Sequence, residues 1–176
     1  MSKRRHGNGS AAGNRAFAAA LAGLLVACGG RPLAEVEGRE RVLDEFRRLH
    51  SAVYGVYELG PDRDRIHELL AASFAGEALT REYVEHFTTL VRMATEHTGI
   101  RVLRVDYEDV AVVASDEDEV EVAADWSVGG IVSHQLHRHH RVNRYQATYT
   151  LARVDGPGPG LRIVSSRVRN AERIRN

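Results

Sequence analysis

The chain has 176 residues, of which 43% are apolar, so it can build the core of one domain of ordinary size but hardly of two. Its formal net charge at pH 7 is zero. Its basic residues form no stripe interleaved with aromatic side chains, which argues against a nucleic acid as the partner.

The first 27 residues have the layout of a secretory signal peptide. Residues 1–15 are polar and basic, and residues 16–27 form an apolar run that is too short to cross a bilayer core of about 30 Å as a helix. Cys28, the only cysteine, follows this run directly. We therefore expect removal of residues 1–27 on export, a tether over 28–34 and a single domain over 35–176. Without the signal, 24 acidic residues stand against 20 arginines, which gives a charge close to −4.

The segment Leu25-Val26-Ala27-Cys28 resembles the lipobox of bacterial lipoproteins, which has a branched apolar residue at −3, a small residue at −1 and cysteine at +1. The resemblance implies that the Cys28 thiol is acylated by palmitate or a similar fatty acid and that lipid holds the mature protein in the cell envelope. Gly29 stands where enterobacterial lipoproteins retained in the inner membrane carry Asp, which favours an outer membrane if the cell has one. The alternatives are a plain secretory signal or a buried apolar helix at the N-terminus, and in both Cys28 is incidental.

The first half of the exported chain has the apolar spacing of helices. A 3.6-residue stripe predicts a first helix over 36–54, ended by Gly60-Pro61-Asp62. Asp62 is a candidate N-cap for a short second helix that ends at Gly76. Thr80 is a candidate cap for a third helix that ends at Gly99.

After Gly99 the apolar spacing changes from 3.6 residues to 2, which predicts four strands over 100–114, 119–133, 137–154 and 161–169. Polar turns at 115–118 and 155–160 separate the outer pairs of strands. Sequential strands with short turns predict an antiparallel meander. The helices that precede it must cover one face of this sheet, because their apolar stripes have to be buried. The predicted fold class is α+β, with three N-terminal helices packed on a four-stranded antiparallel sheet.

This order of elements is similar to the nuclear transport factor 2-like (SnoaL-like) cone, in which a strongly curved sheet wraps a helix pair and leaves a pocket. The short strand pair that often precedes the third helix of that fold is not visible here. Residues 126–145, WSVGGIVSHQLHRHHRVNRY, also resemble an uncharacterised domain of exported bacterial proteins that reads W-x-V-x-G-x-V-x-H-W-G-H-x-H-x-R-x-N-x-Y. Gln135 and Leu136 depart from its Trp-Gly. This second resemblance supports the domain boundary and implies no activity.

A dense histidine cluster lies at the start of the third predicted strand, because four of the eight histidines after Cys28 fall within residues 134–140. Side chains of a strand alternate between its two faces, so every second residue from His137 onward shares one face. That face is polar at the start of the strand and apolar towards its end. We expect that face to line the core at one end and a ligand pocket at the other. With the preceding strand, the predicted pocket residues are Trp126, His137, His139, Arg141, Asn143 and Tyr145.

The same cluster supports a metal hypothesis. His137 and His139 lie about 7 Å apart along one strand face, and with His134 they could bind zinc or copper with an open fourth position. Alternatively the imidazoles form hydrogen bonds at a pocket rim, or they sense pH because imidazole titrates near neutral pH.

Enzyme motifs are scarce. His67-Glu68-Leu69-Leu70-Ala71 has alanine where a zinc protease needs its second histidine, and no Gly-rich phosphate loop or Gly-x-Ser-x-Gly elbow occurs. Proton abstraction by Asp125 beside Tyr145, in the manner of ketosteroid isomerase, is disfavoured because strand parity places Asp125 on the outer face.

The sequence therefore predicts a lipid-anchored module that binds a small molecule or a protein, with no catalytic residue and no required cofactor. The alternatives are a metal-binding lipoprotein that uses His134, His137 and His139, and an isomerase or hydratase of the cone class. The last would need a carboxylate that points into the pocket beside Tyr145.

Overall fold

The computed structural model describes residues 30–134, 137–155 and 160–174. The helical part precedes the sheet and consists of α1 (Leu33–Glu37), α2 (Arg39–Ala52), a 3-10 helix (Val53–Glu58), α3 (Arg63–Ala71) and α4 (Gly76–Thr95). The strands are β1 (Thr98–Ser115), β2 (Glu119–His134), β3 (His137–Val154) and β4 (Gly160–Ile174). None of these helices is both long and apolar enough to cross a membrane.

The α+β class and the antiparallel meander are confirmed. The four strands pair in the order β1-β2-β3-β4 and form a curved sheet, whose β1–β2 and β3–β4 pairings carry register shifts typical of bulges. β3 has the predicted bounds, and β2 extends one residue beyond its predicted end. β4 continues five residues beyond the predicted end because its polar last residues keep pairing with β3, up to Ile174 opposite Val142.

The prediction of three helices is wrong, since the described residues form four α-helices and a 3-10 helix. The first predicted helix is interrupted at Gly38, whose φ of 84° is a left-handed value that ends α1. Its last turn tightens into the 3-10 helix. Thr80 does not cap the third predicted helix, because α4 already begins at Gly76. Asp62 does cap α3, since its side chain accepts a hydrogen bond from the Arg65 amide at 3.2 Å.

The helices cover one face of the sheet, and the core lies between the two layers. Phe46 of α2 and Leu151 of β3 are completely buried within it. The core begins at Leu33 and Ala34, in the segment that the sequence assigned to the tether. The Leu33 amide donates to the carbonyl oxygen of Asp116 at 2.5 Å, and the Ala34 amide donates to Ser115 Oγ at 3.0 Å. The described backbone is thus attached to the β1–β2 turn before residue 35, where the sequence places the start of the domain.

One short backbone contact places α4 against the sheet. Phe74 forms a parallel bridge with Ile163 of β4, in which the Ala75 amide donates to the Ile163 carbonyl at 3.0 Å and the Ile163 amide donates to the Ser73 carbonyl at 2.9 Å. This bridge covers part of the β4 edge. It also brings the first turns of α4 alongside Ser166, where the site described below is formed.

Candidate functional site

A cavity of about 290 Å³ lies between the inner face of the sheet and the helices. Its sheet wall is aromatic, with Trp126, Tyr145 and Tyr149, and its helix wall carries Glu82 and His86. A volume of this order lies at the lower end of the range for small-molecule sites, and a mostly aromatic lining with a few polar groups is typical of them.

Trp126 and Tyr145 form the centre of the aromatic wall. They are cross-strand partners on β2 and β3, and their rings stack with centroids 5.3 Å apart at 21°. Trp126 is only 3% exposed, and its indole Nε1 donates to the Tyr54 hydroxyl at 2.8 Å. Burial raises the pKa of Tyr54, so this phenol stays protonated. Because its oxygen accepts from the indole, the Tyr54 hydroxyl keeps its own proton to donate.

Tyr145 ends a chain of hydrogen bonds along β3. Arg141 Nε donates to Asn143 Oδ1 at 3.0 Å, and Asn143 Nδ2 donates to the Tyr145 hydroxyl at 3.0 Å. The Tyr145 oxygen is thus also an acceptor, and its proton is left for another partner. Tyr54 and Tyr145 therefore supply the cavity wall with two hydroxyl donors whose oxygens are already engaged.

His50 supports this wall from α2. It is 5% exposed, and its ring nitrogens contact two tyrosine hydroxyls, Nδ1 to Tyr107 at 2.7 Å and Nε2 to Tyr149 at 3.0 Å. Its ring also meets the Trp126 indole edge to face, with centroids 4.6 Å apart. Burial lowers the pKa of His50 to about 3, so the ring is neutral at physiological pH. Since a neutral imidazole has one donor and one acceptor nitrogen, it can satisfy both hydroxyls.

The opposite wall is formed by α4 and β4. The Glu82 side chain is 17% exposed, and its Oε1 accepts a hydrogen bond from Ser166 Oγ at 3.1 Å. Its Oε2 lies 3.7 Å from His86 Nε2, and Arg81 Nη2 donates to Ser166 Oγ at 2.9 Å. Burial raises the pKa of Glu82, although Ser166 and Arg81 partly oppose the shift. Burial lowers the pKa of His86. Glu82 is thus a carboxyl group whose proton is held more tightly than in water.

The structure places the six predicted pocket residues at different depths. Trp126 and Tyr145 line the cavity, and Arg141 and Asn143 lie behind Tyr145 and support its hydroxyl. His137 and His139 are exposed at the end of the β2–β3 hairpin and are not part of the cavity lining.

The three histidines of the metal hypothesis also lie at this hairpin end. The rings of His134 and His139 are stacked, with centroids 5.5 Å apart at 15°. In the ranges that the structure describes, no group of three or more His, Cys, Asp or Glu side chains is placed to hold a metal ion. Cys28, the predicted lipidation site, lies outside the described residues.

The sequence did not predict the helix side of the site. A weak signal existed, because Phe46, His50 and Val53 occupy successive positions of one apolar stripe, and a histidine at such a position requires polar partners within the core. Glu82 and His86 are spaced i,i+4 and thus share a helix face, but nothing in the sequence alone places that face against β3.

A larger depression of about 480 Å³ lies between α2 and the start of β4. Charged side chains that already form ion pairs make up much of its lining, with Glu45 2.6 Å from Arg48 and Glu37 2.6 Å from Arg153. Its described lining has no aromatic side chain. The aromatic cavity is therefore the stronger candidate site, although it is the smaller of the two.

No protein-family model matches the sequence, and no curated protein matches it.

Proposed function

We propose that this protein is an exported lipoprotein whose domain binds a small molecule in the aromatic cavity. The observation that carries the proposal is the stacked pair Trp126 and Tyr145, flanked by the hydroxyl donors of Tyr54 and Tyr145 and faced by Glu82. Both tyrosines line the cavity, and each hydroxyl oxygen already accepts a hydrogen bond, so each hydroxyl proton can be donated to a bound ligand.

The lining indicates the class of ligand. The faces of Trp126 and Tyr145 favour a planar or apolar ring. The two hydroxyl donors favour an oxygen acceptor on that ring, such as a ketone or a carboxylate, and the volume of about 290 Å³ favours a compound of modest size. An aryl ketone combines these properties and serves as a probe of the site.

Acetophenone should shift the indole N–H signal of Trp126, the only tryptophan, in a nitrogen-correlated NMR spectrum of the protein. We expect Tyr145→Phe to weaken acetophenone binding by up to about tenfold, because it removes one hydrogen bond from a shielded site. Toluene, which has the ring without the acceptor, should bind the native protein and the variant equally.

Tyr83→Phe is the matched control for this experiment, because Tyr83 stacks on Phe87 with centroids 5.8 Å apart and is not part of the cavity lining. An indole signal that millimolar acetophenone leaves unmoved, or an equal loss of affinity in both variants, would contradict the proposed site.

The membrane anchor is supported by the N-terminal segment and by the position where the domain begins. Leu25-Val26-Ala27-Cys28 supplies the acceptor thiol behind an apolar run. The backbone is fixed to the β1–β2 turn from Gly30 and Leu33 onward, through contacts with Glu117 and Asp116. A lipid on Cys28 would therefore hold the folded domain close to the membrane surface.

Cys28→Ser is expected to abolish fatty-acid labelling of the protein and to move it from the detergent phase to the aqueous phase in phase separation. The reason is that serine lacks the thiol that the lipobox resemblance assigns as the acylated group. Gly29→Ala, which changes the neighbouring residue and keeps the thiol, should retain the label. Fatty-acid labelling that persists in Cys28→Ser would show that the protein is not a lipoprotein of this type.

Proton transfer is a second candidate function, favoured by one observation. An isomerase or hydratase of the cone class needs a carboxylate beside Tyr145, and Glu82 lines the same cavity as Tyr145. In this reaction the Glu82 carboxylate takes a proton from the carbon next to a carbonyl group, and the released electron pair forms the enolate. The hydroxyls of Tyr54 and Tyr145 donate hydrogen bonds to the enolate oxygen, and Glu82 returns the proton.

If this second function holds, the native protein should speed exchange of the acetophenone methyl protons for deuterium in heavy water, followed by NMR. Glu82→Gln should then slow the catalysed exchange by at least about 100-fold, which is the usual contribution of a positioned base. Glu77→Gln removes an exposed carboxylate of the same helix that is not part of the cavity lining, and it should leave the rate unchanged. Exchange no faster than in buffer, or an equal loss in Glu77→Gln, would exclude Glu82 as the base and leave the binding function.

A further inference from the structure

The described residues at the end of the β2–β3 hairpin carry only potentially cationic side chains. These six residues, His134 and 137–141, are all exposed, and each is histidine or arginine. We call these six residues the cationic hairpin end. No aspartate or glutamate occurs anywhere between residues 126 and 154. The local charge is thus opposite to that of the exported chain as a whole, which is close to −4.

Two carboxylates of β1 pair with arginines outside this hairpin end. Glu108 lies 2.9 Å from Arg144, and Asp106 lies 3.0 Å from Arg104, so these acidic groups pair with arginines further along the sheet. Within the described ranges no carboxylate forms an ion pair with Arg138 or Arg141. Their guanidinium charges are therefore available to an external anion.

The opposite end of the sheet is acidic and holds the N-terminal segment. The β1–β2 turn contains four consecutive acidic residues, 116–119, and the backbone of residues 30–34 is fixed to it. The two ends are separated by β2, whose 16 residues span at most about 50 Å at roughly 3.3 Å per residue. Gly30, which follows Cys28 by two residues in the sequence, is held at the acidic end.

We propose that the cationic hairpin end binds an anionic polymer of the cell envelope that carries carboxylate or phosphate groups, on the side of the domain away from the lipid. The orientation in this proposal rests on lipidation at Cys28, whereas the binding chemistry does not. Arginine suits such a partner because its guanidinium can form paired hydrogen bonds to carboxylate or phosphate.

Two physical arguments select this partner. In the proposed orientation the headgroups of the anchoring membrane are too distant, because their charge is screened within about 8 Å at physiological ionic strength. A protein surface is a poorer match because the core of a protein interface is depleted of charged residues, whereas each of the six described residues of the hairpin end is histidine or arginine. A flexible chain of repeated anionic groups needs only charge and hydrogen bonding.

Binding is tested with the chain purified in detergent micelles, using polygalacturonate as the carboxylate polymer and polyphosphate as the phosphate polymer. We expect salt-sensitive binding of at least one, and the tighter of the two identifies the anion. The double variant Arg138→Gln with His140→Gln should lose about tenfold in affinity. Arg167→Gln with Arg169→Gln, which removes exposed arginines from β4, should retain it.

Three results would overturn the assignment of this surface: no binding of either polymer at low salt, equal losses in the two double variants, or tighter binding of an acidic protein such as ovalbumin than of both polymers.

Orientation is tested separately on lipid vesicles that contain a fluorescence acceptor at the membrane surface. A donor dye attached through Asp118→Cys, at the acidic turn, should transfer energy efficiently, and one attached through Arg138→Cys should transfer little. Equal transfer from both positions would overturn the proposed orientation. Failure of the chain to join vesicles would contradict lipidation instead, while the polymer experiment would still decide the role of the hairpin end.

Discussion

Replacing Phe46 with alanine is expected to lower the free energy of unfolding by about 3 to 5 kcal/mol, the usual range for deleting a buried aromatic ring. Phe46 is completely buried in α2. Its ring lies 5.0 Å from that of Tyr149 and 5.4 Å from that of His50, so its removal leaves a cavity directly behind the aromatic wall. Urea unfolding followed by circular dichroism measures the change in the midpoint.

The matched control for Phe46→Ala is Val84→Ala. Val84 is 56% exposed on α4, and its truncation should change stability by less than about 0.5 kcal/mol. A loss well under about 1 kcal/mol in Phe46→Ala would show that α2 does not pack on the sheet as described.

Lowering the pH from 6.5 to 4.5 should destabilise the protein through His50 by roughly 2 to 3 kcal/mol. The pKa of His50 is about 3 in the folded protein and 6.5 without burial, so between these values the unfolded chain binds a proton that the folded chain does not. Each pH unit by which the pH falls within this window lowers the free energy of unfolding by about 1.4 kcal/mol. The full contribution of His50 to stability is present only above pH 6.5. Urea midpoints of the native protein measured across this window give the slope of the free energy of unfolding against pH.

His50→Gln should reduce that slope, because glutamine keeps a donor and an acceptor for the hydroxyls of Tyr107 and Tyr149 without titrating. Burial shifts the pKa of Glu82 upward and that of His86 downward, so these groups add slopes of opposite sign. Both remain in the variant and cancel in the comparison. His67→Gln, at an exposed position of α3, should leave the slope unchanged. The same slope in His50→Gln as in the native protein would refute the assignment.

The sheet could be predicted from the sequence more completely than the helices. Alternation of apolar and polar residues continues along β2 and β3, and a period of 2 also determines which face each residue occupies. The break at Gly38 could not be predicted in the same way, because glycine also occurs within helices at a modest cost. At Gly76 the sequence indicated the end of one helix but not the start of the next, since the bridge of Phe74 with Ile163, which sets that start, is formed between distant segments.

In the candidate site too, the strand residues could be predicted from the sequence better than the helix residues. Trp126 and Tyr145 were predicted together because strand parity places them on one face. Parity does not say how far the helices cover that face, which is why His137 and His139 lie exposed beyond the cavity. Glu82 and His50 belong to helices, and their meeting with the strand residues depends on tertiary packing. The apolar stripe indicated that His50 needs polar partners in the core but not which ones, and nothing in the sequence placed Glu82 against the strands.

The attachment of the first described residues to the β1–β2 turn has a consequence for the ligand. Because Leu33 is already buried in the core, only about four residues separate it from a lipid on Cys28, and these span at most about 14 Å when extended. The cavity of the proposed lipoprotein would therefore encounter its ligand in a thin layer above the bilayer and not in the bulk compartment. A compound that partitions into the lipid would be enriched in that layer, so its membrane solubility would add to its effective affinity for the cavity without any further contact with the protein.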